Sequence, residues 1–146
     1  MNKKKIIIAT GGTGGHIFPA ISLAQYLSKK NFEVEITTDK RGKKFFNEIN
    51  FLKIKTISTA TIFIKNPFLI LKNIFLIIFS IIKSILYLKK KKPHLVFGVG
   101  GYSSFPVCFA SKILGIPLLI YENNLLLGKA NKILSFFAKK IFTSFS

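Results

Sequence analysis

A glycine-rich turn joins an apolar run to a second apolar segment at two places in this chain. The first turn, residues 11–16 (GGTGGH), follows the run IIIA at residues 6–9. The second, residues 98–104 (GVGGYSS), follows LVF at residues 95–97. Glycine allows positive φ and lets a ligand approach the backbone, while the free N–H groups of a helix start attract anions. Each segment therefore predicts a strand, a phosphate-binding loop and the start of a helix.

Neither loop matches the two commonest nucleotide-binding motifs. Neither ends in Gly-Lys-Ser/Thr, and the spacing G-x-G-x-x-G fails at Ile17 in the first loop and at Ser103 in the second. A P-loop kinase and a simple dehydrogenase are therefore disfavoured. A single glycine turn can do no more than connect a strand to a helix, but two of them in one sheet favour a binding role.

Strand and helix patterns alternate along the whole chain. The predicted strands cover residues 5–10, 33–38, 52–58, 94–98, 117–121 and 140–145, and the predicted helices cover residues 18–30, 42–49, 67–90, 104–114 and 127–138. This order predicts a single α/β domain over residues 1–146, with a Rossmann-like parallel sheet, helices on both faces and right-handed crossovers. Ligands bind beyond the carboxyl ends of such strands, and both glycine loops lie at that edge.

Four motifs in a fixed order resemble the MurG family: GGTGGHIFP at 11–19, GVGGYSSFP at 98–106, LGIP at 114–117 and ENNLLLGKANK at 122–132. The resemblance implies the N-terminal half of a GT-B glycosyltransferase of peptidoglycan synthesis. Members move N-acetylglucosamine (GlcNAc) from UDP-GlcNAc to the 4-hydroxyl of undecaprenyl-pyrophosphoryl-MurNAc-pentapeptide (lipid I), with inversion, and form lipid II. We expect a truncated chain, inactive alone, because the family's C-terminal donor-binding domain has no counterpart in these 146 residues.

The resemblance also assigns roles to individual residues. His16 becomes the candidate general base, since an imidazole can accept a proton at neutral pH. The implied substrate contacts are Gly11, Gly12, Thr13, Gly14 and Gly15 in the first loop, Gly100, Gly101, Tyr102 and Ser103 in the second, and Asn124. Glu122 is the second catalytic candidate, and the alternative is a buried carboxylate that is satisfied by the backbone or a loop.

Other positions depart from the family or carry no chemistry. Tyr121 and Asn123 stand where the family has histidine and glutamine, and Phe105 stands where it usually has glycine, so no role is assigned to these three. We interpret His94 as structural and Cys108 as a core residue. The chain has no Asp-x-Asp pair and no His/Cys cluster, which favours a reaction without metal or cofactor, with helix termini and backbone donors stabilising the diphosphate.

The composition is strongly basic, with 23 lysines and arginines against five acids and a net charge of +18. Such a surface attracts anionic lipid or phosphorylated substrates, although part of the excess reflects a general richness in lysine. Nucleic acid is not an expected partner, because basic residues interleaved with exposed aromatic residues are missing. The single cysteine excludes a disulfide within the chain and fits a reducing compartment.

Residues 67–88 form the most apolar stretch, and four lysines follow it. Lys72 and Lys83 leave only ten uncharged residues between them, short of the roughly 20 that a spanning helix needs. At helical spacing one polar face carries Lys72, Asn73, Ser80, Lys83, Ser84 and Lys90. The wide apolar arc opposite packs on the sheet, rests on an anionic bilayer, or does both. The family resemblance favours a peripheral protein at the cytoplasmic face of the inner membrane.

Two further functions remain open at this point. The chain is a membrane-anchoring subunit of a split UDP-GlcNAc transferase, or it is a basic lipid-binding module without catalysis. The GGTGGH loop disfavours the first alternative, and the presence of His16, Thr13 and Asn124 disfavours the second.

Overall fold

The computed structural model describes residues 3–47, 49–61 and 65–145. The strands in these residues are β1 (Lys5–Ala9), β2 (Glu33–Thr38), β3 (Lys53–Thr56), β4 (Leu95–Gly98), β5 (Leu118–Glu122) and β6 (Lys140–Thr143). The helices are α1 (Gly14–Lys29), α2 (Lys40–Lys43), α3 (Pro67–Lys91), α4 (Phe105–Ile113) and α5 (Lys129–Leu134), with a 3-10 turn at Lys44–Phe46. All strands pair in parallel in the order β3-β2-β1-β4-β5-β6, which confirms the predicted fold class.

Several predicted boundaries are wrong. The helix predicted to begin at residue 18 begins at Gly14, so His16 lies in its first turn and not in the loop. Thr13 is the N-cap, and its carbonyl oxygen accepts hydrogen bonds from the His16 and Ile17 amides at 3.0 Å each. Helix α5 is shorter than predicted, strand β6 ends at Thr143, and α2 with the following 3-10 turn replaces the helix predicted at 42–49. Glu48 and Ser146 lie outside the described residues.

The core consists of two apolar layers, one on each face of the sheet. On one face α3, α4 and α5 cover strand residues such as Ile7, Val96 and Ile120. On the other face α1 covers Ile6 and Ile8. Successive residues of β1 therefore alternate between the two layers and both sets are buried, as is usual for a parallel sheet between helices. The cover on the α1 face is uneven, since α1 contacts only β1 and β2 closely.

Two sequence interpretations of single residues are confirmed. Cys108 is fully buried on the side of α4 that faces the sheet, where burial raises the pKa of its thiol to about 12. His94 lies at the amino edge of the sheet, and its Nδ1 accepts a hydrogen bond from the Lys5 amide at 3.1 Å. Both glycine loops lie at the opposite edge, so His94 is remote from them.

Helix α3 turns much of its polar face toward the protein. Asn73 Nδ2 donates to the Thr61 carbonyl at 2.6 Å, Ser80 Oγ donates to the Ser58 carbonyl, and Ser84 is fully buried. At the other end of α3, Tyr87 and Lys91 both contact the buried carboxylate of Glu35, at 2.8 Å and 2.6 Å. Burial raises the pKa of Glu35, but the hydrogen bonds from Lys91 and Tyr87 outweigh it, and the pKa lies below its ordinary value.

Of the alternatives left open for the apolar arc of α3, packing on the sheet applies only to a small part, which includes Leu88 and Ile85. Ten large side chains of α3 are exposed: Phe68, Leu69, Leu71, Ile74, Phe75, Leu76, Ile78, Phe79, Ile82 and Leu86. We call these ten side chains the α3 apolar face. Within the described residues α3 is the one helix that is long and apolar enough, by length and composition alone, to cross a membrane.

Candidate functional site

The His16 side chain lies where the two glycine loops meet. A Cβ added at Gly11 would come within 2.9 Å of His16 Cδ2, and one added at Gly100 would come within 3.1 Å of Cε1 and Nδ1. Gly101 has φ +81°, and a Cβ there would lie 2.7 Å from the Gly11 Cα. These three positions need glycine because the two loops and the imidazole ring pack without space for a side chain.

A polar cavity of about 170 Å³ opens beside the imidazole. Its lining consists of His16, Gly101, Tyr102, Glu122, Asn124, Gly128, Lys129, Ala130 and Asn131. The structure thus brings together five predicted site residues from three separate segments of the chain. His16 Nδ1 is buried and has no hydrogen-bond partner among the described residues.

Glu122 is almost completely buried at the end of β5, and the following loop together with α5 satisfies both carboxylate oxygens. Oε1 accepts hydrogen bonds from the backbone amide and the side-chain amide of Asn124, at 3.0 Å and 2.7 Å. Oε2 accepts from the Gly128 amide at 2.8 Å and from Asn131 Nδ2 at 3.0 Å. Burial raises the pKa of Glu122, but these hydrogen bonds outweigh it and hold the pKa below its ordinary value. The contacts favour an orienting role over that of a proton acceptor.

Two asparagines that the sequence analysis did not select also shape this site. Asn131 Nδ2 donates to the Tyr121 carbonyl at 3.1 Å as well as to Glu122. Asn123 Nδ2 donates to the Gly15 carbonyl at 2.8 Å. That carbonyl is available because its normal helical donor, four residues on, is Pro19, which has no N–H. Pro19, inside an otherwise helical pattern, is the feature of the sequence that indicates a free carbonyl at Gly15.

Asp39, also missed, links the two glycine loops to the end of β2. Its Oδ2 accepts from Ser103 Oγ at 2.8 Å and from the Arg41 guanidinium at 2.8 and 3.0 Å, and its Oδ1 accepts from the Gly42 amide at 2.8 Å. A Cβ at Gly12 would lie only 2.4 Å from Oδ1. Burial raises the pKa of Asp39, but these hydrogen bonds outweigh it, and the pKa lies below its ordinary value.

The predicted substrate contacts differ in how accessible they are. Ser103 is buried with its hydroxyl on Asp39, and Gly11 and Gly100 are buried too. Thr13, Gly15 and Asn124 are exposed. Thr13 makes no side-chain capping bond, and no acidic residue occupies the first turn of α1. This helix start is therefore suited to an anion, and the individual substrate contacts stay predictions.

Comparison with known proteins agrees with this geometry. A family model described as the glycosyltransferase family 28 N-terminal domain matches residues 6–143. The chain belongs to this glycosyltransferase family.

Within the described residues no group of three or more histidine, cysteine, aspartate or glutamate side chains is placed to hold a metal ion.

Two relatives of the family 28 domain carry the name UDP-N-acetylglucosamine--N-acetylmuramyl-(pentapeptide) pyrophosphoryl-undecaprenol N-acetylglucosamine transferase. The one from Pelagibacter ubique is 41% identical over 140 residues, which cover 95% of this chain and 38% of the relative. The one from Protochlamydia amoebophila is 40% identical over 141 residues, covering 94% of this chain and 37% of the relative. The crystal structure of Acinetobacter baumannii MurG matches with a TM-score of 0.85 at 29% identity, covering 98% of this chain and 42% of that one.

These matches confirm the resemblance to the MurG family. This family 28 domain spans about two fifths of the length of the relatives it matches. Two of the residues that depart from the family motifs make side-chain contacts of their own. Tyr121 is hydrogen-bonded to Ser144, and Phe105 stacks on Phe109 with ring centroids 5.6 Å apart.

Proposed function

We propose that this chain is the acceptor-binding half of an enzyme that transfers GlcNAc from UDP-GlcNAc to the 4-hydroxyl of lipid I, with inversion and without a metal ion. One observation carries the proposal. The His16 imidazole, with an unpartnered Nδ1, lies beside a polar cavity at the junction of both glycine loops. The names of the relatives supply the substrates, and the cavity supplies a place for the reaction.

The proposed chemistry is a direct displacement. The His16 imidazole takes the proton of the attacking hydroxyl while its oxygen forms a bond to the anomeric carbon of GlcNAc. The bond from that carbon to the diphosphate breaks, and its electron pair leaves with UDP. Backbone N–H groups of the first loop and the start of α1 stabilise phosphate charge near the reacting atoms. Glu122 and Asn131 hold residues 123–128 in place beside the imidazole.

An apolar cavity next to the polar one supports an amphiphilic acceptor. The two cavities share Tyr102 and Ala130. The apolar one has a volume of about 50 Å³ and is lined by Thr59, Ala60, Thr61, Ile77, Tyr102, Phe105, Ala130 and Ile133. Because Ile77 belongs to α3, this cavity leads from the polar site toward the exposed helix.

The α3 apolar face supports a location at the cytoplasmic face of the inner membrane. It combines exposed phenylalanines, such as Phe75 at 65% and Phe79 at 54% exposure, with exposed lysines at positions 72, 83, 89 and 90. Exposed apolar patches of this extent are uncommon in soluble monomers. Interfacial helices bind anionic bilayers through such a combination. The reaction partners and the location together are those of a peripheral membrane enzyme.

We expect the purified chain to form no lipid II from UDP-GlcNAc and lipid I, because it contains only the proposed acceptor half. The matched test is a chimera, which we call the joined protein. In this chimera, residue 146 of the chain is followed by the part of the Pelagibacter ubique relative that lies beyond the segment matched by this chain. This joined protein is expected to form lipid II in a radiolabelled GlcNAc assay. Lipid II formation by the isolated chain would contradict the proposal that it is only the acceptor half. If activity is restored only when the C-terminal part is added as a separate polypeptide, the alternative of a membrane-anchoring subunit is favoured.

We expect the isolated chain to sediment with vesicles that contain anionic lipid and to be released by high salt. Each lysine near the surface contributes about 1 kcal/mol, and salt screens this attraction beyond about 8 Å. Phe75→Ser is expected to weaken binding about tenfold or more, since an inserted aromatic side chain contributes about 1.5–3 kcal/mol. Phe142→Ser, which changes an exposed phenylalanine outside α3, is the control. Equal binding to neutral and to anionic vesicles would contradict the proposed contribution of the lysine charges.

A further inference from the structure

A cationic depression lies at the carboxyl edge of the sheet, beyond the ends of β2 and β3. It has a volume of about 260 Å³ and is lined by Asp39, Lys40, Arg41, Ser58 and Thr59. None of these residues lines the polar cavity beside His16. We call this surface the Arg41 depression.

The Arg41 guanidinium is held in place but keeps unused donors. Its Nε and Nη2 donate to one oxygen of Asp39, Oδ2, at 3.0 Å and 2.8 Å. Its other N–H groups, including both on Nη1, have no partner among the described residues. The Arg41 side chain is 70% exposed, whereas that of Asp39 is 11% exposed. The ion pair therefore fixes the guanidinium and leaves several of its donors in the open.

The charges of the Arg41 depression favour an anion. Asp39 is already paired with Arg41, and its second oxygen accepts from the Gly42 amide at 2.8 Å. Lys40 adds another positive charge, since it is exposed and makes no ion pair with a described residue. Ser58 and Thr59 add hydroxyl groups, which can donate hydrogen bonds. This donor set fits a carboxylate, which the planar arginine fork binds through paired, parallel hydrogen bonds.

The Arg41 depression and the polar cavity lie within reach of one extended acceptor. Asp39 connects them, because it accepts from Ser103 Oγ of the second glycine loop at 2.8 Å and lies against Gly12 of the first loop. Neighbouring strands are about 4.8 Å apart, so the ends of β2 and β4, which flank β1, are about 10 Å apart. An extended peptide covers this distance in about three residues.

We propose that the Arg41 depression binds the C-terminal carboxylate of the acceptor's peptide. The inference rests on the proposed function, in which the acceptor sugar carries a pentapeptide on the carbon next to the one that bears the attacking hydroxyl. A peptide joined to the sugar by its amino end keeps a free carboxylate at its other end. The diphosphate fits less well, because it leaves the sugar across the ring from that hydroxyl and the start of α1 already offers it N–H groups.

Binding of a soluble sugar-peptide to the isolated chain tests this site. MurNAc-pentapeptide, without phosphate or lipid, is titrated into the isotope-labelled chain, and its dissociation constant is measured from the NMR amide signals of Gly42 and Thr59. The second ligand is the same molecule with its C-terminal carboxylate converted to a carboxamide. Lys40→Gln and Arg41→Gln are compared with Lys43→Gln, which removes the same charge from the same helix outside the depression. Circular dichroism confirms that each variant is folded.

We expect the parent chain to bind the carboxamide about fivefold more weakly than the carboxylate, which is the effect of one partly exposed charge pair. Lys40→Gln and Arg41→Gln should weaken binding of the carboxylate by a similar factor and leave that of the carboxamide unchanged, and Lys43→Gln should change neither.

Equal affinity of the parent chain for the two ligands would overturn the proposal. Signal changes confined to residues of the polar cavity would overturn it too, as would equal weakening of both ligands in Lys40→Gln and Arg41→Gln. Lipid II formation by the joined protein tests the proposed function in a separate assay, so a failure of the carboxylate site and a failure of the proposed function are distinguishable.

Discussion

His16→Ala is expected to lower the kcat of the joined protein by about two to four orders of magnitude, with little change in the KM for lipid I. A general base typically contributes this much to the rate, and it acts in the transition state more than in substrate binding. The position of the ring supports the size of the effect. It packs against the glycines of both loops, and its Nδ1 has no partner among the described residues. Steady-state kinetics with purified lipid I measure both constants.

The matched control is His94→Ala, which removes the only other histidine of the chain. His94 lies at the amino edge of the sheet, so this variant is expected to keep the kcat of the parent. A rise in KM for lipid I at nearly constant kcat in His16→Ala would instead make His16 a phosphate contact. Glu122 would then be the next residue to test as the base.

Glu122→Gln is expected to lower the free energy of unfolding of the isolated chain by about 3 kcal/mol. The carboxylate accepts four hydrogen bonds, two on each oxygen. A carboxamide has one oxygen, so two donors face its NH2 group in either orientation, and each buried donor left unsatisfied costs about 1–3 kcal/mol. Urea unfolding followed by circular dichroism measures the effect, since the chain has no tryptophan.

The loss of stability in Glu122→Gln is expected to depend on pH. The pKa of Glu122 is lower in the folded chain than its ordinary value, so the carboxylate contributes its full stabilisation above about pH 5 and loses it as the pH falls through the folded pKa. The difference between parent and Glu122→Gln should therefore shrink on acidification. The control is Glu33→Gln, because Glu33 makes only partly exposed ion pairs with Lys5 and Lys53 at 3.4 and 3.5 Å. Such pairs contribute about 0–1 kcal/mol. An equally large loss in both variants would contradict the role of the Glu122 network.

The site was partly predictable because some of its signals are local. The glycines of the two loops, the histidine that follows the first loop and the asparagine at position 124 belong to contiguous motifs, and His16 and Asn124 line one cavity. The Asp39–Ser103 hydrogen bond joins residues 64 positions apart, and no local pattern contains it. The role of Glu122 was left between two interpretations, since a sequence does not show which donors will surround a carboxylate.

Helix α3 also combines a feature that the local sequence predicts with one that distant contacts decide. Its spacing predicted a polar and an apolar face, and the sequence left open whether the apolar face packs on the sheet, rests on a bilayer, or does both. Hydrogen bonds from Asn73 and Ser80 to the carbonyl oxygens of residues 58–61 turn the polar side inward and leave the α3 apolar face in the open. That choice depends on a neighbouring segment and not on the helix itself.

The sequence by itself determined the order of strands and helices, the two glycine loops and the family, because periodicity, glycine turns and motifs are properties of short contiguous segments. Only the tertiary structure decided where α1 begins, which side of α3 is buried, what satisfies Glu122 and Asp39, and which half of the sheet lacks a cover. Each of these depends on contacts between segments distant along the chain. Whether a buried polar group or an apolar surface finds a partner is settled only when those segments pack together.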